Sequence, residues 1–176
     1  MRQKKDTRIF FALWPDPATR RQLSQIARRL PVDRPARRVP EYNLHLTLHF
    51  VGNVDIVELT CLRQRARLAT GEAFELLIDS AGHFARSRVA WLGCSEIPPA
   101  LQRLHDRLGE CLEPCGYRPE AERYNPHVTV ARRVNRLLPV DTFEAISWKV
   151  DSFVLIESRA FENGVKYEAV ETYPIA

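Results

Sequence analysis

Residues 43–50, "NLHLTLHF", alternate without a break. Leu44, Leu46, Leu48 and Phe50 fall on one side of an extended chain, and His45, Thr47 and His49 on the other. A strand sorts these residues into an apolar and a polar face, whereas a helix would mix them. The polar face carries two imidazoles and a hydroxyl where a solvated strand ordinarily scatters charge. The same frame is then written a second time, "YNLHLTLHFVG" from Tyr42 being echoed by "YNPHVTVARRV" from Tyr124. In the second copy His127, Thr129 and Ala131 share one face, and Val128 and Val130 share the other. Two similar halves are therefore expected, each contributing one histidine strand.

The remaining segments fill in around these two strands. "RIFFAL" (8–13) reads as a strand closed by Pro15, and Pro17 starts a helix whose Leu23, Ile26, Ala27 and Leu30 keep helical spacing until Pro31. "RPARRVP" (34–40) is a basic, proline-punctuated loop, read as a solvated face. Leu59, Leu62, Ala66 and Ala69 mark a second helix ending near Gly71. Residues 74–80 and 88–93 are expected to form a strand pair, with His83 in the loop between them. A third helix runs from Pro99 with Leu101, Leu104, Leu108 and Leu112 on its core side, stopped by Pro114 and Gly116. His105 lies one position off that stripe and is given a surface or structural role. "WKVDSFVLIESR" and "VKYEAVETYPI" close the chain as two further strands. Strands and helices in this order make neither a βαβ series nor an all-β chain, so the fold class is α+β.

A length of 176 residues suits one domain, 1–176, with one sizeable core. No apolar run approaches the roughly 20 residues of a membrane helix, and "MRQKKDTRIFFALWP" is too short in its apolar part for a secretory segment. A cytoplasmic location with no membrane partner is the expectation. Cys61, Cys94, Cys111 and Cys115 do not form the paired motifs of a zinc site and are read as reduced, mostly buried thiols. The formal charge of +4 is too small for wrapping duplex DNA. Arginine far outnumbers lysine, which suits phosphate-bearing partners and equally suits a high-GC genome.

On a strand, residues i and i+2 lie about 6 to 7 Å apart on one face, so each histidine presents its imidazole to the same space as its threonine hydroxyl. Two such strands facing one another would gather two imidazoles and two hydroxyls. With a free pKa near 6.5, one ring can accept a proton while the other donates one, and the hydroxyls can hold an anion between them. That arrangement suits phosphodiester hydrolysis. A metal site is the rival reading, because histidine is a common ligand. Against it, neither motif contains a carboxylate, and His49 lies roughly 13 Å along the strand from His45. A purely structural use of His-x-Thr also stays open at this level.

The two segments resemble the paired His-x-Thr-x signatures of the two-histidine (2H) phosphoesterase superfamily. With "RIFFAL", "NLHLTLHFVG", "SRVAWLG" and "NPHVTVAR" in order, nearly the whole chain is similar to its bacterial RNA 2′,3′-cyclic phosphodiesterase branch, historically called 2′-5′ RNA ligase. The resemblance implies a bilobal α+β fold, with two pseudo-symmetric lobes, an antiparallel sheet in each, helices outside and the site in the cleft between. It implies hydrolysis of RNA 2′,3′-cyclic phosphate ends to 2′-phosphomonoesters without metal or cofactor, with 2′-5′ joining as the reverse reaction. The catalytic residues would be His45 and His127, with His45 as the acid on the departing 3′ oxygen and His127 as the base on water. Thr47 and Thr129 would hold the phosphate. Arg132 would contact it only if the strand ends or bulges near Ala131, since strict alternation turns it away. Phe11 is read as a platform for the terminal base, with a plain core role as its rival. His49 is placed at the cleft's edge and given no catalytic part. A monomer binding RNA ends or nucleotides with a 2′,3′-cyclic phosphate is expected. A binding module without turnover, and a phosphodiesterase for another cyclic or 2′-5′-linked nucleotide, are the alternatives.

Overall fold

The first strand, β1 (Thr7–Leu13), is apolar on both faces and lies inside a sheet, between β3 (Leu46–Val54) and β9 (Ser152–Phe161), both antiparallel to it. The structure is a computed structural model and describes residues 7–119, 123–136, 140, 142–161 and 164–175. Between β1 and β3 come α1 (Pro17–Arg29), capped by the Asp16 carboxylate on two backbone N–H groups, and the two-residue strand β2 (Arg37–Arg38). After β3, α2 (Ile56–Ala66) starts with a capping box between Asp55 and Glu58. The chain continues with β4 (Phe74–Ile78), β5 (Ser80–Phe84), β6 (Val89–Gly93), α3 (Pro99–Leu112), β7 (His127–Arg132), β8 (Ile146–Val150), β9 and β10 (Gly164–Pro174).

The main sheet runs β10-β9-β1-β3-β7-β6-β5, with β2 added to β7, while β4 and β8 form a separate pair. Its two halves are the two lobes. Within the sheet they meet where β3 and β7 pair, in register at Leu46 and Val128. All three described α-helices pack on one face, where Leu23, Leu62, Leu104 and Leu108 join Ile9, Phe11, Leu46, Leu48, Val128 and Val130 in one buried cluster. Burying each such side chain contributes about 1.5–3 kcal/mol, so that face holds the fold. The other face carries a smaller cluster of Phe10, Ala12, Val154 and Ile156, with Trp14 and Tyr167 against it. The α+β, two-lobed reading of the sequence agrees with this.

The strand pairing differs from expectation. Residues 74–78 do not pair with 88–93: they form β4, which pairs with β8, while β5, which begins at Ser80 and includes His83, pairs with β6. The segment "WKVDSFVLIESR" breaks at Asp151 into β8 and β9, one in each sheet. Both differences have one cause, a change of sheet at a single residue, Asp79 or Asp151, inside a segment read as one strand, which periodicity does not register. The second helix ends at Ala66, before Gly71. Cys61 and Cys115, expected to be reduced, are joined by a disulfide, because α2 and the 3₁₀ turn Glu113–Cys115 lie side by side with these Cα atoms 5.7 Å apart. Cys94 and Cys111 are free. Among the described residues no helix is long and apolar enough to cross a membrane.

Candidate active site

Both His-x-Thr strands depart from strict alternation at the residue after the threonine. Against β1, His49 pairs with Phe11 and Thr47 with Ala12, leaving Leu48 as the extra residue of a β-bulge. Against β6, Thr129 pairs with Trp91 and Ala131 with Ala90, leaving Val130 extra. The bulges leave His45 and Thr47, and His127 and Thr129, on the face away from the helices and shift everything downstream by one.

Two sequence expectations turn on this shift. Arg132, which needed such a bulge, lines the same groove as His45 and Thr129. His49, expected at the cleft's edge, is instead turned toward α3 and is 3% exposed. There its Nε2–H donates to the His105 carbonyl at 2.7 Å, and its Nδ1 accepts from the Tyr117 hydroxyl at 3.0 Å. Phe11 is also corrected. It faces the helices, fully buried against Phe153 and Tyr173, and so presents no platform to a base. Its neighbour Phe10 occupies the cleft face, with its ring centroid 4.8 Å from that of His45.

The two catalytic candidates are held alike. His45 Nδ1 lies 2.7 Å from the Asn43 carbonyl, and His127 Nδ1 lies 2.7 Å from the Asn125 carbonyl. A carbonyl only accepts, so each Nδ1 carries the proton and each Nε2 keeps its lone pair away from the backbone. The surroundings differ. His45 is boxed by Phe10, by Trp14 stacked at 6.2 Å and by Tyr167 edge-on at 5.1 Å. Burial pushes its pKa from 6.5 down to about 4, with the charges of Arg132, His127 and Arg20 acting the same way and the Asn43 hydrogen bond opposing. His127 meets Phe84 edge-on at 4.9 Å. Burial and Arg132 lower its pKa too, against the Asn125 hydrogen bond. Both rings are therefore neutral near pH 7 without ligand.

Asn43 does more than offer a carbonyl. Its buried side chain donates to the Val165 carbonyl at 2.6 Å and accepts from the Tyr167 N–H at 3.1 Å, tying the edge strand β10 over His45. On the helix side, the Tyr124 hydroxyl donates to the Thr47 carbonyl at 3.1 Å and its ring stacks on His105 at 3.8 Å. His105 is therefore structural, packed between Tyr124 and His49, as its place off the leucine stripe implied. The hydroxyls of Thr47 and Thr129 donate to no protein group among the described residues. Nor is any group of three or more His, Cys, Asp or Glu side chains there arranged to hold a metal ion. Sequence reading missed Trp14, Tyr167, Phe84 and both asparagines, although the Tyr-Asn written before each histidine signature was the available signal for the last two.

Comparison with known proteins gives one consistent picture. A family model described as "2'-5' RNA ligase superfamily" matches residues 14–160. The RNA 2′,3′-cyclic phosphodiesterase of Escherichia coli (strain K12) is 28% identical over 171 residues, covering 96% of each chain. The protein of the same name from Thermotoga maritima is 31% identical over 180 residues, covering 93% of this chain and 92% of that one. The crystal structure of E. coli LigT complexed with 3′-AMP superposes with a TM-score of 0.89 at 27% identity, covering 97% of this chain and 98% of that one.

Proposed function

Because the chain belongs to the 2′-5′ RNA ligase superfamily, whose model spans residues 14–160, we propose that it is an RNA 2′,3′-cyclic phosphodiesterase that hydrolyses cyclic ends to 2′-phosphomonoesters. The observation that carries this reading is the matched pair of Nδ1 hydrogen bonds to the Asn43 and Asn125 carbonyls, which leaves two Nε2 atoms for proton transfer. Relatives bearing the phosphodiesterase name, and LigT structures complexed with 3′-AMP, ATP and NADP+, support a nucleotide end as ligand.

Water must attack phosphorus in line with the bond to the 3′ oxygen, so base and acid work on opposite sides of the phosphate. One histidine from each lobe meets that demand. His127 takes the proton of water and His45 gives one to the departing 3′ oxygen. The ligand-free protein keeps His45 neutral, and so its proton is taken up with the substrate. The phosphodiester anion attracts it more strongly in a water-poor box, and the faces of Phe10 and Trp14 favour a cation once it forms. Thr47 and Thr129 donate to the phosphoryl oxygens, and Arg132 offsets their charge. No metal or cofactor takes part, and the whole chain acts as one domain.

The test is incubation of the protein with a 2′,3′-cyclic mononucleotide in excess chelator, followed by product analysis. The 2′-monophosphate is expected. Recovery of unchanged substrate, both here and with a cyclic-ended oligonucleotide, would reduce the protein to a binding module, and a 3′-monophosphate would overturn the assigned geometry.

A further inference from the structure

The groove beside His45 encloses about 620 Å³, far more than one phosphate needs. Its catalytic end is formed by His45, Thr129 and Arg132, and it continues past Tyr42, Arg37, Arg133 and Phe161. Five of its described lining residues are cationic and none is a carboxylate. Arg38 is committed to the Ala27 and Leu30 carbonyls of α1, and Lys166 to Glu168. Arg37, Arg132 and Arg133 pair with no carboxylate among the described residues. Arg132 ends β7 and Arg133 is the first residue beyond it, and both line the groove. Arg133 achieves this with φ of +59°, a left-handed conformation that costs energy in any residue with a Cβ and tends to be kept at functional positions. Next to these cations Tyr42 is 55% and Phe161 59% exposed, two large rings left in solvent on the groove's rim.

Unpaired cations that track a backbone, beside aromatic faces that accept any base, are the chemistry of single-stranded nucleic-acid binding. We propose that this extension of the groove holds the nucleotides preceding the cyclic end, with Arg37 and Arg133 on their phosphates and Tyr42 and Phe161 stacked on their bases. The protein is then selective for cyclic-ended oligonucleotides over cyclic mononucleotides, with no demand for a particular base. The proposal rests on the phosphodiesterase reading. The charge of the groove favours a polyanion over an apolar protein segment as the occupant of the Tyr42–Phe161 rim.

The test measures kcat/KM for substrates of one to six nucleotides, each ended by a 2′,3′-cyclic phosphate. The value should rise by about 10-fold or more between one and three nucleotides and then level off, as expected from one or two stacked bases. The gain should shrink with added salt, by about 0.7 in logarithmic slope for each phosphate contacted. Arg133→Gly removes the cation where glycine suits the backbone, and Tyr42→Ala changes an exposed ring, so both variants should keep the wild-type melting temperature. Together they should cut the oligonucleotide-to-mononucleotide ratio to near one. If the mononucleotide is hydrolysed and length makes no difference, the proposal is wrong while the phosphodiesterase reading stands. A length advantage that survives in the double variant would also overturn it. Failure to hydrolyse any of these substrates would sink the phosphodiesterase reading itself.

Discussion

The most direct probe of the site is the aromatic box around His45. Moving a histidine from 6.5 to about 4 corresponds to about 3 kcal/mol against the charged ring. Burial is its main cause, and Phe10, Trp14 and Tyr167 supply the rings that exclude water. Tyr167 sits on the edge strand β10 and can be truncated without opening the main core. If the three rings share the exclusion of water equally, Tyr167→Ala should raise the His45 midpoint by about 1 pH unit. The Nδ1 bond to Asn43 should survive, because the change removes no part of the 41–45 segment. The assay is an NMR titration of the imidazole Cε1–Hε1 signals between about pH 3.5 and 8, with His127 as internal control. Wild-type His45 should titrate well below the free value, and in the variant it alone should move up. A wild-type midpoint at or above 6.5, or a variant that leaves it in place, would refute the argument that the box keeps this ring neutral.

Four further outcomes follow from the same geometry. A substrate with sulfur in place of the 3′ bridging oxygen releases a thiolate that needs no proton, so it should restore His45→Ala far more than His127→Ala; the opposite rescue would exchange acid and base. Thr47→Val or Thr129→Val should slow turnover by about 10²-fold while the fold persists, as the loss of one oriented donor commonly does, and a variant with the wild-type rate would remove that threonine from the site. A Cβ on Gly82 would collide with the Trp91 ring, which packs against Phe84 and through it against His127; Gly82→Ala should cost about 1–3 kcal/mol in urea unfolding and shift the His127 NMR signal. His49, with a pKa pushed by burial to about 4 against the pull of the His105 carbonyl and Asp106, favours the folded state only while neutral; its contribution is complete above 6.5 and lost as the pH falls toward 4, so His49→Gln should flatten the fall in stability between those values.

The two histidine strands were legible because period 2 is a property of the chain itself. Leu44, Leu46 and Leu48 find the core, and His45 and Thr47 the opposite face, with no help from distant residues. The helices were legible for the same reason, since Leu101, Leu104 and Leu108 needed only the spacing of α3 to be placed in the core. What alternation could not supply was its own interruption. A bulge is set by the partner strand's register, and nothing in "HLTLHF" announces that Leu48 will be the residue without a partner. Yet that one extra residue sends His49 to the helices, and its counterpart Val130 brings Arg132 into the groove. Phe11 was misread on different grounds. On a strand apolar along both faces, Phe10 and Phe11 are equivalent until tertiary packing separates them. The aromatic box shares this limit, for Trp14 and Tyr167 are more than 150 residues apart and meet only because β9 and β10 join the edge of β1. The sequence thus carries the reacting groups locally, while the shift in their proton affinity is a property of the closed sheet. Variants in the box should therefore move pKa values and leave the histidines' own hydrogen bonds intact, whereas changes at Asn43 should disturb both, since its carbonyl holds the His45 ring and its side chain holds the strand that covers it.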